Sequence, residues 1–150
     1  MLYELRHERY LISDDPARLD VAAIHAYLTR SYWAEGIPQE TVARSVANSL
    51  CVGVYADDGS QVGLVRVISD YTTFAYLCDV YVLEAHRGRG LSKAALGYVD
   101  THPRLQNIRR QHLVTRDAQR LYRQFGFTPV AEPQRHREKR LGVHYRPLPD

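Results

Sequence analysis

Apolar residues run unbroken or alternate over several short stretches and recur at helical spacing over others. Tyr10-Leu11-Ile12 predicts a short first strand. Ser13-Asp14-Asp15-Pro16 sets a capping oxygen ahead of a proline, the pattern of a helix start. Leu19, Ala23, Ile24, Tyr27 and Leu28 then fall on one helical stripe. Ser31 to Gly36 reads as a loop with heavy aromatic content. Pro38 opens a second helix with Val42, Val46 and Leu50 one turn apart. Cys51 to Tyr55 predicts a strand, Asp57-Asp58-Gly59-Ser60 a tight turn, and Val62 to Ile68 the return strand of a hairpin. Asp70 to Thr73 links it to a buried strand over Tyr76 to Leu83.

After that strand the period changes. Glu84-Ala85-His86 and Arg87-Gly88-Arg89-Gly90 form a turn, and from Leu91 the apolar residues Leu91, Ala95, Tyr98 and Val99 take helical spacing to about residue 101. His102-Pro103 marks a break, Arg104 to Arg109 a polar connection, and His112 to Thr115 a short strand. Asp117 is placed to cap a helix whose stripe is Ala118, Leu121, Tyr122 and Phe125, with Gly126 just past its end. Phe127 to Val130 predicts the start of another strand. Residues 131–150 are basic and proline-bearing, with one edge strand expected within Glu138 to Tyr145. Neither a repeat nor a linker interrupts the pattern, so one domain over residues 1–150 is expected.

The glycine turn carries the first chemical suggestion. The first turn of a helix has amide groups without intrahelical partners, and the helix dipole puts partial positive charge at that end. Gly88 and Gly90 leave room for a ligand to approach the backbone. Arg87 and Arg89 can add charge-assisted hydrogen bonds to an anion. Together these features suit a phosphate. Neither a dinucleotide fingerprint nor a P-loop is present.

Composition narrows the partners. The sequence is 45% hydrophobic and 25% charged, with formal net charge +3. That charge is too mild for a nucleic-acid surface but fits a small anionic ligand. An isolated Arg-Gly pair inside an ordered strand-helix pattern makes RNA binding a poor reading. Cys51 and Cys78 lie in apolar runs and are expected as free thiols in a reducing compartment. The seven histidines form no paired motif, so no metal site is expected. Signal-peptide and membrane-span patterns are both lacking, which points to a cytoplasmic protein without membrane partners.

Two separated segments share one family likeness. Arg87-Gly88-Arg89-Gly90-Leu91-Ser92 resembles the acetyl-CoA-binding motif of the GCN5-related N-acetyltransferases (GNAT). Leu121-Tyr122-Arg123-Gln124-Phe125-Gly126-Phe127 resembles that family's late helix, with Ala118 ahead of it. Ser92 stands where the motif closes with glycine or alanine. Thr115 stands where many members carry an asparagine that orients the cofactor arm; threonine is shorter and lacks the amide.

The resemblance implies an α+β GNAT fold: a mixed central sheet of about six to seven strands with about four helices. It implies acetyl-CoA as cosubstrate, with the pyrophosphate on the amides of Arg87 to Ser92, Leu91 included. The pantetheine arm would pair with Val80, Tyr81 and Val82. The implied reaction is acetyl transfer to a primary amine of a small molecule or peptide. A monomer or homodimer is expected, since a C-terminal edge strand leaves dimerisation open. A base must free the amine, since an alkylammonium has a pKa of about 10.4. Asp79 and Glu84 are the candidates, with His86 at the rim. Tyr122 matches the family's general acid for the leaving thiolate. The acceptor would meet Tyr32, Trp33 and Glu35, where aromatic rings and one acid suit a cationic amine. Arg66, a lone charge in an apolar strand, either faces solvent or reads a carboxylate on the acceptor. The competing reading is a non-catalytic acyl-CoA sensor on the same fold.

Overall fold

The computed structural model describes residues 3–145. Six strands form one mixed sheet: β1 Glu4–His7, β2 Tyr10–Ser13, β3 Leu50–Tyr55, β4 Gln61–Ser69, β5 Phe74–Val82 and β6 Arg110–His112. They lie side by side in chain order. All neighbours are antiparallel except β5 and β6, which run parallel. Four helices accompany them: α1 Val21–Leu28, α2 Gln39–Ala47, α3 Leu91–Asp100 and α4 Gln119–Arg123. This is the six-strand, four-helix end of the expected GNAT architecture.

Strand alternation sends side chains to two cores. Ile12, Val52 and Val54 join Leu91, Ala95 and Val99 of α3 in one. Cys51, Leu64 and Tyr81 join Ile24, Leu28, Val42 and Val46 of α1 and α2 in the other. Helix α3 buries Leu91, Ala95, Leu96, Tyr98 and Val99 but has no side-chain cap at its N-terminus. Burying a large apolar side chain contributes roughly 1.5–3 kcal/mol, whereas a cap contributes about 1 kcal/mol. Packing therefore holds α3 in place, and its first amides are left uncapped.

Several features depart from the sequence reading; Leu50, expected on the second helix, opens β3 instead, and α2 ends at Ala47. Strand β1 was not foreseen: Glu-Leu-Arg-His carries no apolar period and is mostly exposed, as a charged edge strand can be. Ser13 belongs to β2, and α1 begins at Val21 with Asp20 as its cap; Asp15 instead caps a single 3-10 turn at Pro16–Arg18. The strand expected at 112–115 lies at Arg110–His112, so Thr115 is in a loop. The start of α4 is not capped by Asp117. Ala118 sits at the cap position, and Thr115 Oγ1 accepts from its amide at 3.0 Å. Phe127 to Val130 and Glu138 to Tyr145 form no strand; Pro129 interrupts the first stretch, and the second pairs with no neighbour among the described residues. The basic stretch beyond residue 145 lies outside the described residues.

Candidate active site

The site is built around an irregularity in β5. Leu64 pairs with Tyr81 but Arg66 pairs with Cys78, so Asp79 and Val80 together face Val65. This bulge inserts one residue, and Asp79 takes a left-handed backbone with φ 50°. The side-chain phase flips across it. Ala75 and Leu77 face the α3 core before the bulge, and Val80 and Val82 face it afterwards.

The backbone phase follows. The Leu83 amide donates to Val62 O at 2.8 Å. By alternation Tyr81 and Leu83 direct backbone groups to β4, and Val80 and Val82 direct theirs away. On that other side β6 pairs only with Phe74, Ala75 and Tyr76. Past Tyr76 the two parallel strands part, leaving the end of β5 open toward β6. The Val82 carbonyl is already engaged, by Arg87 Nε at 2.9 Å.

The turn into α3 lies at the end of this open edge. A 3-10 turn, Glu84–His86, leads to Gly88 and Gly90, with φ 77° and 74°. Among the described residues no side chain caps Leu91, Ser92 or Lys93, and no acid lies in the first helical turn. Val82, Arg87, Gly88, Gly90, Leu91 and Ser92 help line a pocket of about 210 Å³ here. Two histidines brace the turn: His7 donates through Nε2 to Arg89 O at 2.9 Å, and His86 Nδ1 pairs with Tyr10 OH at 2.8 Å. Arg87 folds back: besides Val82 O it reaches Tyr27 OH at 3.2 Å and Glu84 at 3.8 Å.

The two carboxylates expected as bases sit in different surroundings. Glu84 is held by both guanidinium nitrogens of Arg30, at 2.6 and 3.0 Å, and that bond is the main reason its pKa falls to about 2. Asp79 Oδ2 accepts from Arg66 Nε at 2.7 Å, and Asp79 Oδ1 accepts from Trp33 Nε1 at 2.8 Å. The Asp79 and Arg66 side chains are only 9% and 15% exposed. Arg66 thus faces inward and also donates to Ser49 Oγ at 3.0 Å.

Aromatic side chains frame this end. Tyr27 stacks on Tyr81 with centroids 4.0 Å apart, and Trp33 meets Tyr32 edge-on at 5.1 Å. The Arg116 guanidinium lies 3.8 Å from the Tyr32 ring centre. Tyr122 on α4 is 8% exposed. Burial, with a smaller contribution from Tyr32, pushes its phenol up to about 12. Its hydroxyl has no hydrogen-bond partner among the described residues. Glu35 is exposed in the same loop. A larger cleft of about 1030 Å³ also touches Tyr122 and Thr115, but it lies between β6, α4 and residues 125–136. None of its lining comes from β5 or the 87–92 turn.

The structure brings the sequence-predicted Asp79, Arg66 and Trp33 into one cluster and residues 80–92 into another, joined through β5. The sequence reading missed Tyr27, Arg30 and Ser49. Tyr27 was legible only as part of a helix stripe, and nothing local marked Arg30 or Ser49. Among the described residues no helix is long and apolar enough to cross a membrane. Likewise no group of three or more His, Cys, Asp or Glu that could hold a metal occurs among them. Both cysteines are free thiols.

An open strand edge running into an uncapped, glycine-led helix is the arrangement that the resemblance to the acetyl-CoA-dependent acetyltransferases implies. Comparison with known proteins agrees. The acetyltransferase (GNAT) domain profile matches residues 48–129. A Gibberella zeae protein whose name calls it a candidate acetyltransferase is 35% identical, covering 75% of each chain. A Xanthomonas campestris crystal structure described as belonging to the GNAT family is 46% identical, covers 94% of this chain and 98% of that one, and superposes with a TM-score of 0.88. A Clostridium acetobutylicum structure solved with acetyl-CoA has the same fold at 19% identity, covering 97% and 100% of the two chains with a TM-score of 0.62. The chain belongs to the GNAT acetyltransferase family.

Proposed function

We propose that this protein moves the acetyl group of acetyl-CoA directly to a primary amine of a small molecule or peptide. The observation that carries this reading is the uncapped start of α3, with two left-handed glycines before it and an open β5 edge leading to it. The amides of Leu91, Ser92 and Lys93 would hold the diphosphate, and Arg89 adds charge. The Val80 backbone and the Val82 amide would pair with the amide-bearing pantetheine arm as an added strand does. Thr115 Oγ1 accepts from the Ala118 amide at the start of α4, and its hydroxyl hydrogen can be donated to the arm.

Tyr32 and Trp33 provide ring faces for a cationic amine, with Glu35 on the same loop. Asp79 is the better-placed base: it sits at the bulge, whereas Glu84 at about 2 is a very weak base. Each Asp79 oxygen accepts one hydrogen bond in the cluster and keeps a second lone pair for the ammonium proton, directly or through water.

In the transfer Asp79 first takes one proton from the ammonium and passes it to solvent; the neutral amine nitrogen then bonds the thioester carbon and the C–S bond breaks. The second nitrogen proton leaves to Asp79, and the sulfur is met by Tyr122. A phenol near 12 is a weaker acid than a thiol near 8.5, so full proton delivery to the released thiolate is uphill by on the order of 5 kcal/mol. Tyr122 therefore hydrogen-bonds to the sulfur as charge develops, and its proton passes to the thiolate only as solvent replaces it.

Thiol release from acetyl-CoA is the test, with benzylamine, tyramine, spermidine, free amino acids and a peptide with a free N-terminus as acceptors. Saturable release with at least one amine supports the reading. Acetyl-CoA binding without release from any of them contradicts it and points to a sensor.

A further inference from the structure

Trp33 is the one tryptophan in the sequence. Its side chain is largely at the surface, 41% exposed, yet its indole N–H is directed at one oxygen of a carboxylate that is 9% exposed. The other oxygen of that carboxylate is held by Arg66, which is braced in turn by Ser49. Asp79 carries these bonds from a left-handed position in the bulge. One side chain thus ties the aromatic loop, residues 31–36, to the irregular point of β5. Without the indole donor the loop's tip keeps the Trp33 contact to Tyr27 at 6.2 Å and the Arg116 guanidinium 3.8 Å from the Tyr32 ring centre, and Asp79 Oδ1 loses its partner.

We propose that Trp33 is a positioning residue: a latch, closed through Asp79 and Arg66, that fixes the aromatic loop on the β5 bulge and so sets the acceptor end of the site. It acts on acceptor binding and leaves acetyl-CoA binding alone, because residues 80–92 contact the cofactor end and Trp33 does not. The inference rests on the acceptor site proposed above.

Three measurements on the full chain test it. In ¹⁵N-labelled wild type the single indole N–H should exchange at least about tenfold more slowly than in a free indole, as a closed hydrogen bond requires; a free-indole rate overturns the latch. Asp79→Gly removes the carboxylate while tolerating the positive φ, and acrylamide quenching of Trp33 should rise about twofold as the loop frees. Asp79→Asn keeps one acceptor oxygen for two donors, Arg66 Nε and Trp33 Nε1, and its quenching should fall between the other two; equal quenching in all three proteins overturns the proposal. The exchange measurement decides even if a variant fails to fold. Trp33→Phe keeps a ring face for the amine but removes the donor to Asp79, so KM for the fastest amine of the panel should rise about tenfold with the acetyl-CoA Kd within about twofold. A raised acetyl-CoA Kd, or lowered kcat at constant KM, contradicts the assignment. If wild type acetylates no amine, the proposed reaction fails, while the exchange and quenching results still decide whether the latch exists.

Discussion

Glu84 near 2 and Tyr122 near 12 keep fixed charge states across the whole physiological range. The activity profile should then show neither an acid limb from Glu84 nor an alkaline limb from Tyr122 between about pH 5 and 10. The rise of kcat/KM with pH should follow the acceptor amine, shifting when amines of different pKa are compared. A falling limb near pH 9 to 10 common to every amine would contradict the Tyr122 assignment. Glu84 can be checked alone. Its folded value lies below its ordinary 4.5, so the Arg30 pair contributes fully above pH 4.5 and is lost as pH falls toward about 2. Both partners are about half exposed, so the pair adds little stability. An NMR titration should find the Glu84 carboxyl midpoint near 2, and a midpoint near 4.5 would show the pair open in solution. Tyr122→Phe should lower kcat by about 10²-fold with the acetyl-CoA Kd unchanged; unchanged turnover removes the role.

At the level of elements, legibility depended on whether the signal was local. The β5-to-α3 junction could be read because its strand, glycines and helix are consecutive. Helix α4 could be located from Ala118, Leu121, Tyr122 and Phe125, but not its cap: Thr115 serves at a position where Asp117 looked more suitable. The bulge at Asp79 was not visible, because a one-residue insertion shows only when β4 is laid against β5. For the same reason Arg66 looked like a solvent-facing charge or a ligand reader, when its partner is Asp79 thirteen residues away in the chain. Strand β1 carries no pattern of its own and exists through pairing with β2. Thr115→Ala should cost about 1 kcal/mol, a few degrees in Tm, with Thr115→Ser near wild type. Equal Tm values for Ala and wild type would mean the α4 start is held by packing. Arg66→Met leaves Asp79 charged at 9% exposure and should destabilise by on the order of 3 kcal/mol, read from denaturant midpoints.

For the whole molecule, the sheet brings together groups that no single element holds. The sheet separates two cores: on the α3 side β5 ends at the glycine turn, and the α1–α2 side carries Arg66 of β4, Asp79 and the aromatic loop. On the proposed function, cofactor grip and acceptor handling would fall on opposite faces and meet at the open edge of β5. Acetyl-CoA should raise Tm in a concentration-dependent way, since a native-state ligand stabilises by mass action. Gly90→Val should remove that shift while leaving the protein folded: a Cβ at Gly90 meets nothing closer than His7 at 3.7 Å, so the damage is to the φ 74° turn. A crystal structure with CoA tests the phosphate grip most directly. The diphosphate oxygens should lie about 2.7–3.2 Å from the amide nitrogens of Leu91, Ser92 and Lys93. A diphosphate seated instead in the cleft between β6 and residues 125–136, with those amides untouched, would contradict it.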